Sequence, residues 1–411
     1  QYAGQFTVHA SIPGLENILT LNYDFTFDNL PGKPTSIKSN YEEDQTTVAQ
    51  HFNALALTVY DMYDNTVHSG VQVQLSIGLS ESEPKATAYF EVNASLQTSV
   101  ELLTNDQGQV VGVPSMVANQ VSGSYHITIG ALDIGGSTTA STNVYLENVP
   151  GPVDVIYVLS GEQQHVKVMG DFQVIVVRVF DEYNNTVPSK LVTFSVQVLG
   201  DAAATFDSMN TYEGQSDSEG IATSGVLRTN QQAGAFVVQV VADSATIDIN
   251  QFNIPNDPAK LTIYVGSVLP SVVVNNSFTN VIGVTVYDVY DNVIPDTPVL
   301  FSSPLSGASL FFNEDQTSFN VTSDVSGQLT SGTLRANTIA GDYQVTVVCP
   351  GYPTTQQHIA FTNVHDLADK LVLISPDYIV MARTGEASDP IKVLVQDVYG
   401  NPVPSVTVTF V

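Results

Sequence analysis

The amino-acid sequence predicts an all-β protein built of tandem β-sandwich domains. One segment recurs four times at intervals about one domain long, and the segments around it alternate apolar and polar residues with a period of two. No convincing stretch of about ten residues shows the 3.6-residue period of a helix. Apolar residues make up 43% of the 411 residues, which is enough for packed cores.

The recurring segment places Asp, Tyr and Asn at alternate positions, and we call it the D-x-Y-x-N turn. It reads LTVYDMYDNTV, VRVFDEYNNTV, VTVYDVYDNVI and VLVQDVYGNPV at 57–67, 177–187, 284–294 and 393–403. Successive aspartates are 120, 107 and 109 residues apart. The motif residues are Asp61, Tyr63, Asn65, Asp181, Tyr183, Asn185, Asp288, Tyr290, Asn292, Asp397, Tyr399 and Asn401.

Strands are predicted on both sides of this turn. The apolar pairs before the aspartate are Leu57/Val59, Val177/Val179, Val284/Val286 and Val393/Val395, and those after the turn are Val192/Phe194, Val299/Phe301 and Val408/Phe410. Asp and Asn side chains bond to nearby backbone groups, so we expect each aspartate to accept hydrogen bonds from amides of its own turn. The tyrosines are expected to pack against the sandwich, as in a tyrosine corner.

Two further segments complete the repeat. A late strand begins after Ala-Gly or Ser-Gly, at 119–129, 230–240 and 337–347, and a turn ending in Gly108, Gly220 or Gly327 precedes it. A closing element follows at 27–32, 146–151, 252–257 and 361–366. Short alternating strands in units of this length are typical of immunoglobulin-like (Ig-like) sandwiches of about seven strands.

The repeat boundaries predict three complete domains at 32–150, 151–256 and 257–365. Residues 1–31 match the end of a preceding domain, and residues 366–411 match the start of a following one. Few residues separate the units, so we expect a rod. The cut units suggest a window onto a longer array, in which chains contact along their sides or complete each other's sandwiches by strand addition.

The segments VLVQDVYGNPVPSVTVTF (393–410) and SDVSGQLTSGTLRANTIAGDYQVTV (323–347) resemble bacterial Ig-like repeats of the invasin and intimin group, and more distantly filamin-type repeats. The group carries a D-x-x-G-N-P-V turn and a later A-G-x-Y-x-V strand. Gly400 matches its glycine, whereas Asp64, Asn184 and Asp291 replace it elsewhere. The resemblance implies the fold and a place in the stalk of a cell-surface protein.

Charge limits the choice of partners. Twelve Lys and Arg against 41 Asp and Glu give a net charge of −29, which argues against nucleic acid and against anionic lipid. No apolar run approaches the length of a membrane span. The single cysteine, Cys349, excludes an intramolecular disulfide and is expected to be buried. The partners expected are other copies of the chain, other surface or filament proteins, or glycans.

Catalytic chemistry is not indicated. The seven histidines occupy no repeated position, and no nucleophile elbow, P-loop or zinc-protease motif occurs. We therefore expect a non-enzyme without an organic cofactor. Asp61, Asp64, Asp288 and Asp291 are calcium candidates, because hard cations prefer oxygen ligands. Sequons make Asn93, Asn184, Asn275 and Asn320 candidates for glycosylation.

Together these features indicate a structural segment of an extracellular filament or stalk on a cell surface. Two alternatives stay open from the sequence. The chain is the stalk of an adhesin whose binding tip lies outside this segment, or it belongs to an intracellular filamin-like cross-linker. The three readings share the fold and differ in what flanks it.

Overall fold

The structure is a computed structural model that describes residues 2–14, 23–133, 135–198, 200–266, 270–375, 384–385 and 390–411. Its described residues form strands and no helix, as the sequence predicts. Three complete units, each a sandwich of sheets, follow one another, and a two-stranded sheet flanks them at either side. The predicted partial units at 1–31 and 366–411 include residues outside the described ranges.

The first two-stranded sheet pairs β1 (Gly4–Ala10) with β2 (Tyr23–Asn29). Unit 1 contains β3 (Pro34–Ser39), β4 (Glu43–Thr47), β5 (Leu57–Asp61), β6 (Gln72–Ile77), β7 (Ala88–Val92), β8 (Ser95–Gln97), β9 (Ser99–Leu103), β10 (Met116–Ala118), β11 (Gly123–Leu132) and β12 (Thr138–Val149). Its five-stranded sheet has the order β4-β12-β11-β6-β9, in which only β4 and β12 are parallel. The pair β3-β5 and the sheet β10-β7-β8 form the opposite layer.

Unit 2 repeats this plan, with a five-stranded sheet β14-β22-β21-β16-β18 facing β13-β15-β19 and β17-β20. Its strands are β13 (Val155–Ser160), β14 (His165–Lys167), β15 (Val176–Phe180), β16 (Leu191–Gln197), β17 (Ala204–Phe206), β18 (Thr211–Gln215), β19 (Ile221–Thr223), β20 (Leu227–Thr229), β21 (Gly234–Ala242) and β22 (Ala245–Ile254).

Unit 3 has the same arrangement, with β24-β32-β31-β26-β28 facing β23-β25-β29 and β27-β30. Its strands are β23 (Lys260–Tyr264), β24 (Ser271–Val273), β25 (Gly283–Tyr287), β26 (Pro298–Ser302), β27 (Leu310–Phe312), β28 (Ser318–Thr322), β29 (Gln328–Thr330), β30 (Leu334–Ala336), β31 (Gly341–Cys349) and β32 (Tyr352–Val364). The second two-stranded sheet pairs β33 (Ala368–Leu373) with β34 (Val393–Asp397).

Each unit has its own core between the two layers, formed by the inward residues of the alternating strands. In β21, for example, Phe236, Val238 and Val240 are fully buried while their neighbours along the strand are partly exposed. Cys349 is buried in the core of unit 3 and unpaired, as predicted. The period-two pattern of the sequence therefore reports which side chains face the core.

The strand count and one strand differ from the sequence prediction. Each unit has ten strand segments rather than about seven, because turns and short breaks divide the layer opposite the five-stranded sheet. The strand predicted around Val408 and Phe410 does not form, and residues 406–411 are unpaired. In units 1 to 3 the equivalent strand pairs with strands that follow it in the chain.

The turn before each late strand depends on a glycine. In unit 2, Gly220 has φ +74°, and a Cβ there would lie 2.9 Å from the carbonyl oxygen of Val179 and 3.1 Å from Cβ of Thr186. No other residue type fits that space with that backbone conformation. The glycine therefore lets the turn lie directly against the strand that leads to the D-x-Y-x-N turn.

Candidate functional site

The D-x-Y-x-N turn of unit 2 is organised by one buried carboxylate. Asp181 is 2% exposed. Its Oδ1 accepts hydrogen bonds from the backbone amides of Tyr183, at 3.0 Å, and Asn185, at 2.8 Å. The aspartate therefore caps its own turn, as the sequence predicts, and the same bonds form at Asp288.

The second oxygen of the same carboxylate reaches the linker that enters the unit. Oδ2 of Asp181 accepts hydrogen bonds from the backbone amide of Gly151, at 2.9 Å, and from Nδ2 of Asn185, also at 2.9 Å. Gly151 lies between β12 of unit 1 and β13 of unit 2. One buried side chain therefore fixes both the turn and the path of the linker.

The asparagine of the turn contacts the preceding unit. Oδ1 of Asn185 accepts from the amide of Ser122 at 2.9 Å, and its Nδ2 donates to the carbonyl oxygen of Gln120 at 2.9 Å. Both partners lie in residues 119–122 of unit 1, just before β11. We call this segment, with 230–233 in unit 2 and 337–340 in unit 3, the docking loop. The carboxamide of Asn185 therefore bridges two domains.

The same set of bonds recurs at the other junctions. Asn292 accepts from Ala233 and donates to Gln231, and Asn401 accepts from Ala340 and donates to Thr338, with all four distances between 2.8 and 2.9 Å. Asn65 accepts from Ala3 at 3.0 Å. The linker amides that donate to Asp61, Asp288 and Asp397 are those of Gly32, Asn256 and Asp366, at 2.9 to 3.0 Å.

The docking loop is held from its own side by a second asparagine. In unit 1, Nδ2 of Asn148 donates to the carbonyl of Val121 at 3.0 Å and to Oδ1 of Asn119 at 2.9 Å. Asn253 and Asn363 make the equivalent bonds in units 2 and 3. The loop therefore lies between two carboxamides, one from its own domain and one from the next.

The sequence interpretation missed these asparagines and the interdomain role of the turn. The signal was present, because every closing element carries an asparagine, at Asn29, Asn148, Asn253 and Asn363. In the register of the final strand pair, each of these residues lies opposite the glycine that begins the late strand. The sequence does not show that the turn of one unit lies within hydrogen-bond distance of the unit before it.

The tyrosines of the turn are buried to different extents: Tyr183 and Tyr290 are partly buried, whereas Tyr63 and Tyr399 are more exposed than the predicted packing against the sandwich implies. Tyr63 is 43% exposed and Tyr399 is 41% exposed. The turn uses the backbone amide of this residue, and the ring remains partly in solvent. At the last junction the ring still contributes, since Nδ2 of Asn275 in unit 3 donates to the hydroxyl of Tyr399 at 3.1 Å.

The residue before the motif asparagine has positive φ in all four turns. Asp64, Asn184, Asp291 and Gly400 have φ values between +62° and +89°. Asp, Asn and Gly tolerate this conformation better than other residues. The departure from glycine noted in the sequence is therefore a substitution among residues that suit the same backbone.

The donors around two of the buried carboxylates, Asp61 and Asp397, lower their pKa values. Burial by itself would raise the pKa of Asp61, but the hydrogen bonds from Asn65, Gly32 and Tyr63 outweigh it and lower the pKa to about 2. At Asp397, burial again opposes, and hydrogen bonds from Asn401 and the backbone again lower the pKa. Both groups are therefore carboxylates at neutral pH.

The junction between units 2 and 3 has additional contacts. Oδ1 of Asp257, in the linker, accepts from Nζ of Lys167 in unit 2 at 2.9 Å and from the hydroxyl of Tyr352 in unit 3 at 3.2 Å. Nδ2 of Asn256 donates to the carbonyl of Val168 at 3.3 Å. These groups are largely exposed, so salt screens the ion pair.

The calcium candidates lie in two different environments. The oxygens of Asp61 and Asp288 point at N–H donors of their own junctions. Asp64 and Asp291 are exposed and pair with Lys38 and Lys260, respectively. Among the described residues, no group of three or more His, Cys, Asp or Glu side chains is placed to hold a metal ion. Calcium binding at these residues stays a prediction.

The four sequon asparagines are exposed but are not equivalent. Asn93 and Asn184 lie in turns, and Asn320 lies in the edge strand β28. Asn275 is engaged by Arg335, whose Nη1 donates to Oδ1 at 2.9 Å, and by Tyr399. A glycan at Asn275 would break the contact to Tyr399, so the other three positions suit modification better. Their glycosylation stays a prediction.

None of the described residues forms a helix able to cross a membrane. The chain matches no protein-family model, and it matches no curated protein. Structural similarity is found to bacterial surface proteins with Ig-like domains.

The adhesin FdeC of Escherichia coli matches with 17% identity and a TM-score of 0.45, over 82% of this chain and 100% of that chain. Invasin, a bacterial integrin-binding protein, matches with 14% identity and a TM-score of 0.40, over 83% of this chain and 62% of that chain. InvD of Yersinia pseudotuberculosis matches with 14% identity and a TM-score of 0.39, over 80% of this chain and 97% of that chain. Similarities at this level establish neither a family nor a function.

The bridging role of Asn185 predicts a selective loss of stability. Asn185→Ala removes both bonds to the docking loop and one donor to Asp181. We expect the free energy of unfolding of unit 2 to fall by about 1–3 kcal/mol, and the amide of Ser122 to exchange faster. Urea unfolding with amide hydrogen exchange measures both. Asn184→Asp is the matched control, because Asp occupies that exposed position at Asp64 and Asp291. Equal effects of the two variants would contradict the bridge.

The low pKa of Asp61 predicts an acid-dependent loss of stability. Its pKa is about 2 in the folded chain, against about 3.9 in an unfolded one. The stability it contributes is therefore present above about pH 4, and it is lost as the pH falls through about 2. Thermal unfolding between pH 5 and pH 2 should show a shallower pH dependence for Asp61→Asn. Asp106→Asn, at an exposed turn of the same unit, removes the same charge and is the control, and equal slopes in the two variants would contradict the role of Asp61.

Proposed function

We propose that this chain is a segment of a long extracellular surface protein in which tandem Ig-like domains form a stalk or filament subunit. The observation that carries the proposal is the repeated junction, in which the next unit's asparagine bonds the preceding docking loop and its aspartate bonds the linker. Such bonds oppose bending between neighbours. The function of the segment is to hold distance and to present surface, and we propose no catalytic role.

Short linkers support the same role. Five residues, 150–154, separate β12 from β13, and five, 255–259, separate β22 from β23. At each of these linkers one amide is already bonded to the buried aspartate of the next unit. A linker of this length with a fixed point in it leaves little slack for hinge motion.

Charge and surface chemistry indicate what the stalk would contact. A net charge of −29 makes bare chains repel one another and keeps them soluble. Contacts with other copies or other surface proteins would then be polar, mediated by glycans or bridged by cations. Exposed Asn93, Asn184 and Asn320 offer sites for such glycans if the chain passes through a eukaryotic secretory route.

An adhesin stalk is the second candidate function. The repeat resembles the Ig-like repeats of the invasin and intimin group in its D-x-x-G-N-P-V turn, which this chain carries at 397–403. In that case the binding tip lies elsewhere in the protein, and the segment described here has the same mechanical role. An intracellular filamin-like cross-linker is the third reading.

Location separates these readings. Antibodies raised against unit 2 should label intact cells that express the protein, without permeabilisation, because the proposal places the units outside the cell. An antibody against a cytosolic protein serves as the control and should label only permeabilised cells. Labelling by the unit 2 antibody only after permeabilisation would contradict the extracellular role and favour the filamin-like reading.

A further inference from the structure

In units 1 and 3 a buried tyrosine supports the asparagine that holds the docking loop. The hydroxyl of Tyr125 donates to Oδ1 of Asn148 at 2.8 Å, and that of Tyr343 donates to Oδ1 of Asn363 at 3.0 Å. Burial raises the pKa of both tyrosines, so each hydroxyl keeps its proton. Both oxygens of this bond are buried within the sandwich.

Unit 2 lacks this bond. Phe236 occupies the position of the tyrosine, two residues after the glycine that begins the late strand, and it is fully buried. Asn253 still donates to Asn230 and to the carbonyls of Gln232 and Ala203, as its counterparts do. Among the described residues, its Oδ1 is the one buried side-chain oxygen or nitrogen without a hydrogen-bond partner.

An unpartnered buried oxygen is costly, because it has lost its contact with water and gained no donor. Asn253 therefore holds its orientation less firmly than Asn148 or Asn363 does. The backbone it restrains, at Gln232, lies beside Ala233 and Gln231, which bond Asn292 of the next unit. When the side chain of Asn253 is less ordered, the neighbouring residues that bond Asn292 at the junction between units 2 and 3 are therefore less firmly held.

We propose that the tyrosine at this position is a positioning residue for the docking loop, and that Phe236 makes the docking loop of unit 2 the first to open. This proposal deepens the stalk function proposed above, since the loop that opens first sets where a stalk bends or yields. The exposed contacts of Asp257 oppose the effect. Their effect is the weaker one, because a solvent-exposed ion pair generally stabilises a junction less than leaving a buried oxygen without a hydrogen bond destabilises it.

Phe236→Tyr in the full chain tests the proposal. The new hydroxyl should donate to Oδ1 of Asn253 and slow hydrogen exchange at the amides of Gln232 and Ala233 by about 2- to 10-fold. Exchange at Val238, in the core of the same strand, is the comparison within the unit. If the hydroxyl positions the loop, hydrogen exchange slows more at the loop amides than at the core amide. If the hydroxyl only improves packing, exchange slows equally at all of them.

Tyr125→Phe and Tyr343→Phe are the reverse experiments. They should speed exchange at Ser122 and Ala340 by a similar factor and so make units 1 and 3 behave like unit 2. These two variants also decide the matter if Phe236→Tyr fails to fold. Unchanged loop exchange in the tyrosine variants, or in a folded Phe236→Tyr, would overturn the proposal. Cell labelling does not enter these measurements, so a failed stalk function and a failed positioning role remain distinguishable.

Discussion

The aspartate of each D-x-Y-x-N turn is a buried carboxylate, so both of its oxygens need hydrogen-bond donors. An unpaired buried charge is expensive, and few cations are available in a chain with 12 Lys and Arg. The carboxylate is therefore satisfied by N–H groups from its own turn, the motif asparagine and the incoming linker. Because these donors come from different parts of the chain, satisfying one side chain orders the turn and the junction together.

The motif asparagine extends that order to the neighbouring domain. Its amide group donates both to the aspartate and to a carbonyl of the preceding docking loop, while its oxygen accepts from an amide of the same loop. The side chain donates to two partners and accepts from a third, whereas a serine hydroxyl has one proton to donate and a carboxylate has none. This explains why Asn, rather than Ser or Asp, occupies the position in all four turns.

The sequence was sufficient to predict the sandwich fold, but it did not predict the hydrogen bonds at the junction between units. Alternation in strands such as β21 reports burial directly, and a repeated aspartate in a turn indicates a local cap. The partner of Asn185 lies 63 residues away in another domain, and no local pattern encodes that contact. The exposure of Tyr63 and the unpaired residues 406–411 differ from prediction for a related reason, since both depend on what lies across from them.

The repeats also differ from one another in ways that matter physically. Phe236 stands where units 1 and 3 have a tyrosine, and Asp257 adds exposed contacts at the junction between units 2 and 3. The same fold can therefore be assembled with junctions of unequal stability. Such differences are invisible in the motif, which is identical in its three defining residues in all four turns.

A distance distribution between units 1 and 2 measures whether the junction bonds hold neighbouring domains in a fixed relation. Cys349→Ala would remove the buried thiol, and spin labels at Ser99 and Thr211, both exposed, would report the distance by pulsed electron resonance. We expect one narrow distribution, which broadens markedly when Asn185→Ala is added. A broad distribution in the labelled protein with Asn185 intact, or equal widths with and without Asn185, would contradict it.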